Sequence, residues 1–223
     1  MVLVTIGTKR KDKNFVRLRS DFRDYYDHWF SHNVSEPILL RGMHDGPTRF
    51  EALHMLKNYY NVPSFGLAKN ADFTNDDGAV VLHFSDEHAG RGKVITTLRD
   101  ARIAAPDKLV VQYHSEARTR SYRLLSVGSM RMSFMYESHY WRSNVGDVEV
   151  AIIDPFCYNF EEINNRYPLY AIDFIETSKG FLAIDFNVSP GLEALKGIIQ
   201  PWDVVYSIEK AVTLKSRTVS WGD

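Results

Sequence analysis

Hydrophobic and polar positions along this chain fall into two regimes, and the texture changes near residue 70. Before it, Val2 to Ile6 is a short β-branched run, Lys9 to Lys13 suits a solvated turn, and Pro37 to Leu40 reads as a second buried strand. Thr48 stands where a helix cap belongs. From Phe50 the apolar positions Leu53, Leu56 and Tyr60 recur at helical spacing, and Val62-Pro63 ends the run. Beyond Ala79 the chain breaks into strand-like runs between polar turns: Ala79 to Phe84, Lys93 to Thr97, Leu109 to Tyr113, Tyr122 to Val127 and Arg131 to Met135. These predict a mostly antiparallel sheet. A helix is expected over Phe160 to Asn165, and Pro201 followed by Val204, Val205 and Ile208 predicts a closing helix with proline in its first turn. Gly66 to Gly78, polar and rich in Asn and Asp, reads as the joint between lobes.

The most informative segment runs from Leu169 to Gly191: two strand-like runs around Ser178-Lys179-Gly180. A three-residue loop with glycine last suits a type I turn followed by a left-handed residue, because glycine has no Cβ to clash there. Thr177 then faces Phe181, and counting back sets Asp173 across from Asp185, with Asn187 on their face beside the small Ala171 and Ala183. The other face carries Ile172, Phe174, Leu182, Ile184 and Phe186 and reads as core. Adjacent carboxylates repel unless a cation sits between them, and oxygen ligands on a sheet suit Mg²⁺ held alongside nucleotide phosphates. On pattern alone, a solvent-facing aspartate pair on an amphipathic hairpin fits equally well.

The order of residues separates the two readings. Acid, a dozen residues, then acid-x-Asn-x-x-Pro-Gly resembles the metal-binding strand pair of ATP-grasp enzymes, such as the D-alanyl-D-alanine ligases and the ribosomal-protein-modifying glutamate ligases. In those families the second acid is usually glutamate; here it is the shorter Asp185. Ala79 to Lys93 resembles the strand and glycine-rich loop that cover the triphosphate, with Gly90 and Gly92 permitting close backbone approach and His88, Arg91 and Lys93 offering charge. His83 stands where family members carry a lysine. Leu109 to Ser115 resembles the strand leading to the adenine hinge, with Gln112 where many members have an acid, and Arg123 in the next strand matches an arginine that approaches phosphate. Tyr140-Trp141-Arg142-Ser143-Asn144 resembles the aromatic-Arg-Ser-Asn sequence of the glutamate-ligase branch, where the arginine lies near the transferred phosphate.

This resemblance covers roughly residues 48 to 210 and implies an α+β ATP-grasp fold: two α+β lobes with ATP between antiparallel sheets, preceded by a shortened N-terminal α/β lobe. The expected division is a short N-terminal lobe over 1–70 and the nucleotide-binding and catalytic region over 71–223. It further implies Mg²⁺ or Mn²⁺ on Asp173, Asp185 and Asn187, and ATP contacts from His83, His88, Arg91, Lys93 and Gln112. Arg142, Asn144 and Arg123 are implied at the reacting groups.

Composition narrows the partners. Lysine and arginine (27) nearly cancel aspartate and glutamate (28), so no global field recruits a nucleic acid. The single cysteine, Cys157, fits a reducing compartment, and no N-terminal apolar run is long enough for a signal peptide or membrane span, so a soluble cytoplasmic protein is expected. The activity implied is ADP-forming joining of a carboxylate to an amine, the acceptor being a small molecule or a protein tail. A kinase on the same scaffold and a retired nucleotide-binding or interaction module are the alternatives. Oligomeric state is left open.

Overall fold

The structure, a computed structural model of the chain, describes residues 3–6, 15–18, 47–85, 92–117, 120–138, 141, 148–154, 156, 163, 169–188, 190, 198, 203, 206 and 207, the first two segments by their backbone. Strands β1 (Leu3–Ile6) and β2 (Phe15–Leu18) pair in parallel. The expected strand at Pro37 to Leu40 lies outside the described residues. So do the helices near 160–165 and after Pro201, apart from helical Ile163, Asp203, Tyr206 and Ser207.

Helix α1 (Arg49–Leu56) begins at a closed capping box: Thr48 Oγ1 accepts from the Glu51 backbone N at 3.3 Å, and the Glu51 carboxylate accepts from Thr48 N at 2.8 Å. Its buried residues are Arg49, Ala52, Leu53 and Leu56, one stripe at helical spacing. That stripe divides between two cores. Leu53 packs with Leu109 and Val111, whereas Ala52 and Leu56 enter the larger core described below.

The smaller sheet contains β3 (Phe65–Leu67), β4 (Ala79–His83), β5 (Lys93–Thr97) and β6 (Leu109–Gln112) in the order β3-β6-β4-β5, all antiparallel. Helix α2 (Leu98–Ala104), capped by Thr97 on Asp100 N, covers one face, where Leu98 and Ala101 meet Val80, Leu82 and Val110. The polar stretch from Gly66 to Gly78 contributes to this lobe: Gly66 and Leu67 belong to β3, and Ala68 and Ala71 are buried in its core.

The larger sheet has the order β11-β10-β7-β8-β9, built from β7 (Arg120–Val127), β8 (Met130–Ser138), β9 (Val148–Ile153), β10 (Leu169–Thr177) and β11 (Gly180–Asn187). Every neighbouring pair is antiparallel. On its core face Tyr122, Leu124, Tyr170, Ile172, Phe174, Ala183 and Phe186 pack with Ala52 and Leu56 of α1. Phe174 meets Tyr60 and Phe156 edge-on, each at 5.2 Å between ring centroids. Ser207 pins the β7–β8 turn by donating from Oγ to Val127 O at 2.6 Å. Two antiparallel sheets with few helices make this an α+β fold.

Candidate functional site

The hairpin reaches its predicted carboxylate pairing by a different route. Thr177 pairs with Gly180, not Phe181, so the loop is Ser178-Lys179 alone. Gly180 has φ +102°, the left-handed side that glycine tolerates. The ladder then shifts by one residue between Asp173 and Phe174, where Ile184 is the extra residue of a β-bulge. Below the bulge Asp173 lies opposite Asp185 and Ala171 opposite Asn187, as expected. Above it the faces are exchanged: Ala183 pairs with Phe174 in the core instead of making room beside the carboxylates, and Leu182 pairs with Ile175.

Asp185 and Asp173 begin a row that crosses all five strands, continuing through Arg123, Phe134 and Ile152. Directly opposed residues share a face. Arg123 grips Asp173 with two hydrogen bonds, Nε to Oδ1 at 2.6 Å and Nη2 to Oδ2 at 2.8 Å, and its guanidinium carbon lies 5.4 Å from the Tyr136 ring centroid. Burial works to lower the guanidinium pKa, but the Asp173 charge and hydrogen bonds outweigh it and the pKa is raised. The Arg123 side chain is 20% exposed.

The partner of Asp185 is Arg49, which the apolar pattern leaves unremarked. Its Nη1 lies 3.0 Å from Asp185 Oδ2, with the arginine side chain 6% and the aspartate 20% exposed. The backbone explains the reach: Ala183 N donates to Asn61 O at 2.8 Å, so the chain after α1 runs along the outer edge of β11. The signal in the sequence is the helical stripe itself. Extending Leu53 and Leu56 back by one turn lands on position 49, an arginine on a buried face.

The smaller sheet brings two more predicted residues to this place. His83 pairs with both Lys93 and Leu109, and so shares the face on which Leu109 and Val111 pack against α1. Burial, followed by the positive charges of Arg49 and Lys93, pushes the His83 pKa from 6.5 to about 3, so the imidazole is neutral. It supplies no fixed charge where the resembled family has a lysine. Lys93 Nζ lies 5.8 Å from the centroid of the Trp141 ring. Gln112 is placed apart from these groups: it pairs with Val80, whose face packs against α2, and its backbone N donates to Ser64 O at 2.8 Å. His88, Arg91, Arg142 and Asn144 lie outside the described residues.

No protein-family model matches the sequence, and no curated protein matches it either. Solved structures do match the architecture. An ATP-grasp ligase of Chryseobacterium gregarium associated with a ribosomally made peptide, in complex with ADP and a leader and core peptide, superposes with a TM-score of 0.52 at 14% identity over 77% of this chain and 62% of that one. The macrocyclase MdnC bound to its precursor peptide MdnA, from Microcystis aeruginosa, superposes at 0.51 with 15% identity over 78% of this chain and 65% of its own. The chain has the ATP-grasp fold. It spans less than two thirds of the length of these two proteins.

Among the described residues no group of three or more His, Cys, Asp or Glu side chains is arranged to hold a metal ion by itself. The donor set is two carboxylates and an amide, and Mg²⁺ is ordinarily held by one or two carboxylates with nucleotide phosphates completing its shell. Asp173 Oδ1 and Oδ2 each accept from Arg123, while Asp185 Oδ1 accepts from Phe186 N and Oδ2 faces Arg49. Each oxygen retains a second lone pair, so the set fits a cation.

Proposed function

We propose that this chain is an ATP- and Mg²⁺-dependent carboxylate–amine ligase that forms ADP. The observation that carries the reading is the row Asp185–Asp173–Arg123, which gathers oxygen donors and a planar cation on one face of the larger sheet. Arginine beside carboxylates suits phosphoryl transfer, where negative charge shifts between phosphate oxygens during reaction. Asp173, Asp185 and Asn187 would hold Mg²⁺, which supplies charge neutralisation at the phosphates when bound. Arg123, with Arg142 and Asn144 by resemblance, would orient the terminal phosphoryl group. Lys93 and the loop before it, with His88 and Arg91, would close over the triphosphate, and His83 would offer a neutral hydrogen bond.

In the first step a substrate carboxylate oxygen bonds to the γ-phosphorus as the bond to the ADP oxygen breaks. In the second an amine attacks the acyl carbon, a C–N bond forms, phosphate departs and the amine loses a proton. No protein nucleophile is required. The peptide complexes of the two similar structures favour a peptide as one substrate, and a cytoplasmic location belongs to the same reading.

A second reading is a nucleotide-binding module without turnover. The specific observation in its favour is that Arg123 and Arg49 already neutralise both carboxylates, so the pair is electrostatically stable without a cation. Incubation with ATP, Mg²⁺ and a library of acids, with and without amines, separates the possibilities. The ligase yields ADP and phosphate only when both acid and amine are present. ADP formed without an amine points to a kinase, AMP and pyrophosphate overturn the mechanism, and nucleotide binding without any product favours the module.

A further inference from the structure

We propose that Arg49 is a built-in competitor for the cation at Asp185, so that the hairpin takes up a divalent cation only together with nucleotide. The inference rests on the ligase reading for the identity of the ligands but concerns a residue that reading does not use. Arg49 begins α1 on the buried stripe, and its side chain is 6% exposed. A guanidinium so far from water needs a nearby anion, and Asp185 lies 3.0 Å away. Among the described residues nearby, Lys93 is a like charge, and His83 is held neutral by burial and by the fields of Arg49 and Lys93.

Among the described residues the hairpin's two ion pairs are matched in charge. Two aspartates, 173 and 185, balance two arginines, 123 and 49. A bare divalent cation entering this group adds two positive charges to a partly buried site and must displace Arg49 from Asp185, so uptake of the cation alone is opposed. A nucleotide triphosphate arriving with the cation reverses the balance, because its phosphate charge compensates both the ion and the released guanidinium. Cation and nucleotide therefore bind with positive coupling, and linkage requires each to tighten the other equally. Arg49 is in this sense a positioning residue for Asp185, not a group that reacts.

The test is Mn²⁺ binding to the full chain, followed by electron paramagnetic resonance and calorimetry, with and without ADP. Unaltered protein is expected to bind Mn²⁺ weakly alone and more tightly with ADP. Arg49→Gln should tighten nucleotide-free Mn²⁺ binding by roughly tenfold and reduce the enhancement by ADP to a similar degree, within the ordinary span of couplings between sites. Arg49→Lys keeps the charge and should keep nucleotide-free binding weak, which also provides a folded comparison if the glutamine variant fails to fold. Nucleotide-free affinity unchanged or lowered in Arg49→Gln, or raised equally in Arg49→Lys, overturns the proposal. Asp185→Asn separates that failure from failure of the ligase reading: if it leaves Mn²⁺ binding in the presence of ADP intact, the cation is not at the hairpin and both readings fall.

Discussion

Arg123 holds Asp173 across neighbouring strands by two parallel hydrogen bonds, at 2.6 and 2.8 Å, with both side chains largely withdrawn from solvent. A bidentate pair of this kind does more than an exposed ion pair. Arg123→Ala should therefore destabilise the fold by about 1.5–3 kcal/mol in urea unfolding, the range for hydrogen bonds to charged groups. Arg123→Lys should recover only part of this, since an ammonium cannot span both oxygens. A loss in Arg123→Ala below about 0.5 kcal/mol would mean that water already satisfies Asp173.

His83 gives the fold an acid-sensitive element. Its folded-state pKa, depressed from 6.5 to about 3, lies below that of the unfolded chain, so acid protonates the unfolded form first. Its contribution is fully present above pH 6.5 and is lost as the pH falls from there toward 3, by at most about 1.4 kcal/mol per unit. His83→Gln should flatten the fall in urea midpoint between about pH 6 and pH 4. An unchanged slope would assign the acid sensitivity to other groups.

Arg142 tests the chemistry separately from the fold. If it stabilises charge that appears during phosphoryl transfer, Arg142→Ala should lower kcat by roughly 100-fold while KM for ATP changes little. Equal losses in nucleotide affinity and turnover would make it a ground-state ligand.

Gly128 has φ +59°, and a Cβ there would collide with the backbone carbonyl of Ser207. Gly128→Ala should cost about 1–2 kcal/mol for the left-handed backbone alone, with a further loss from displacing residue 207. Thermal unfolding measures the sum. A variant as stable as the parent would show that the turn and the segment carrying Ser207 separate freely.

Much of this architecture is legible in the sequence because period and turn chemistry agree. The alternation from Ala79 to Met135 delivers five of the strands, and the Asp173–Asp185 pairing follows from counting along the hairpin. That count starts from a loop one residue too long, and the bulge at Ile184 restores the register lower down. No residue type announces a bulge in a run of apolar and acidic positions, so the exchanged face at Ala183 is invisible without the ladder. Strand β3 is hidden for another reason: it is three residues long with Gly66 in its middle, and glycine inside a strand reads as a turn. Arg49 is missed because an arginine in the first turn of a helix ordinarily faces water; only the continuation of the buried stripe marks it.

The bulge at Ile184 uncouples two phases of the hairpin. Thr177 with Gly180 is set by the turn, and Asp173 with Asp185 by the strands beyond it, with one spare residue between them. A strand with such slack behaves like a vernier: the tip can gain or lose a residue while the spare position takes up the difference and the acidic pair keeps its alignment. Tip length can therefore change in this hairpin, and so can whatever the tip touches, without retuning the residues that meet at 173 and 185. Removing Ile184 itself would leave both alignments in place but lock them together, so that any later change at the tip would be transmitted to the carboxylates.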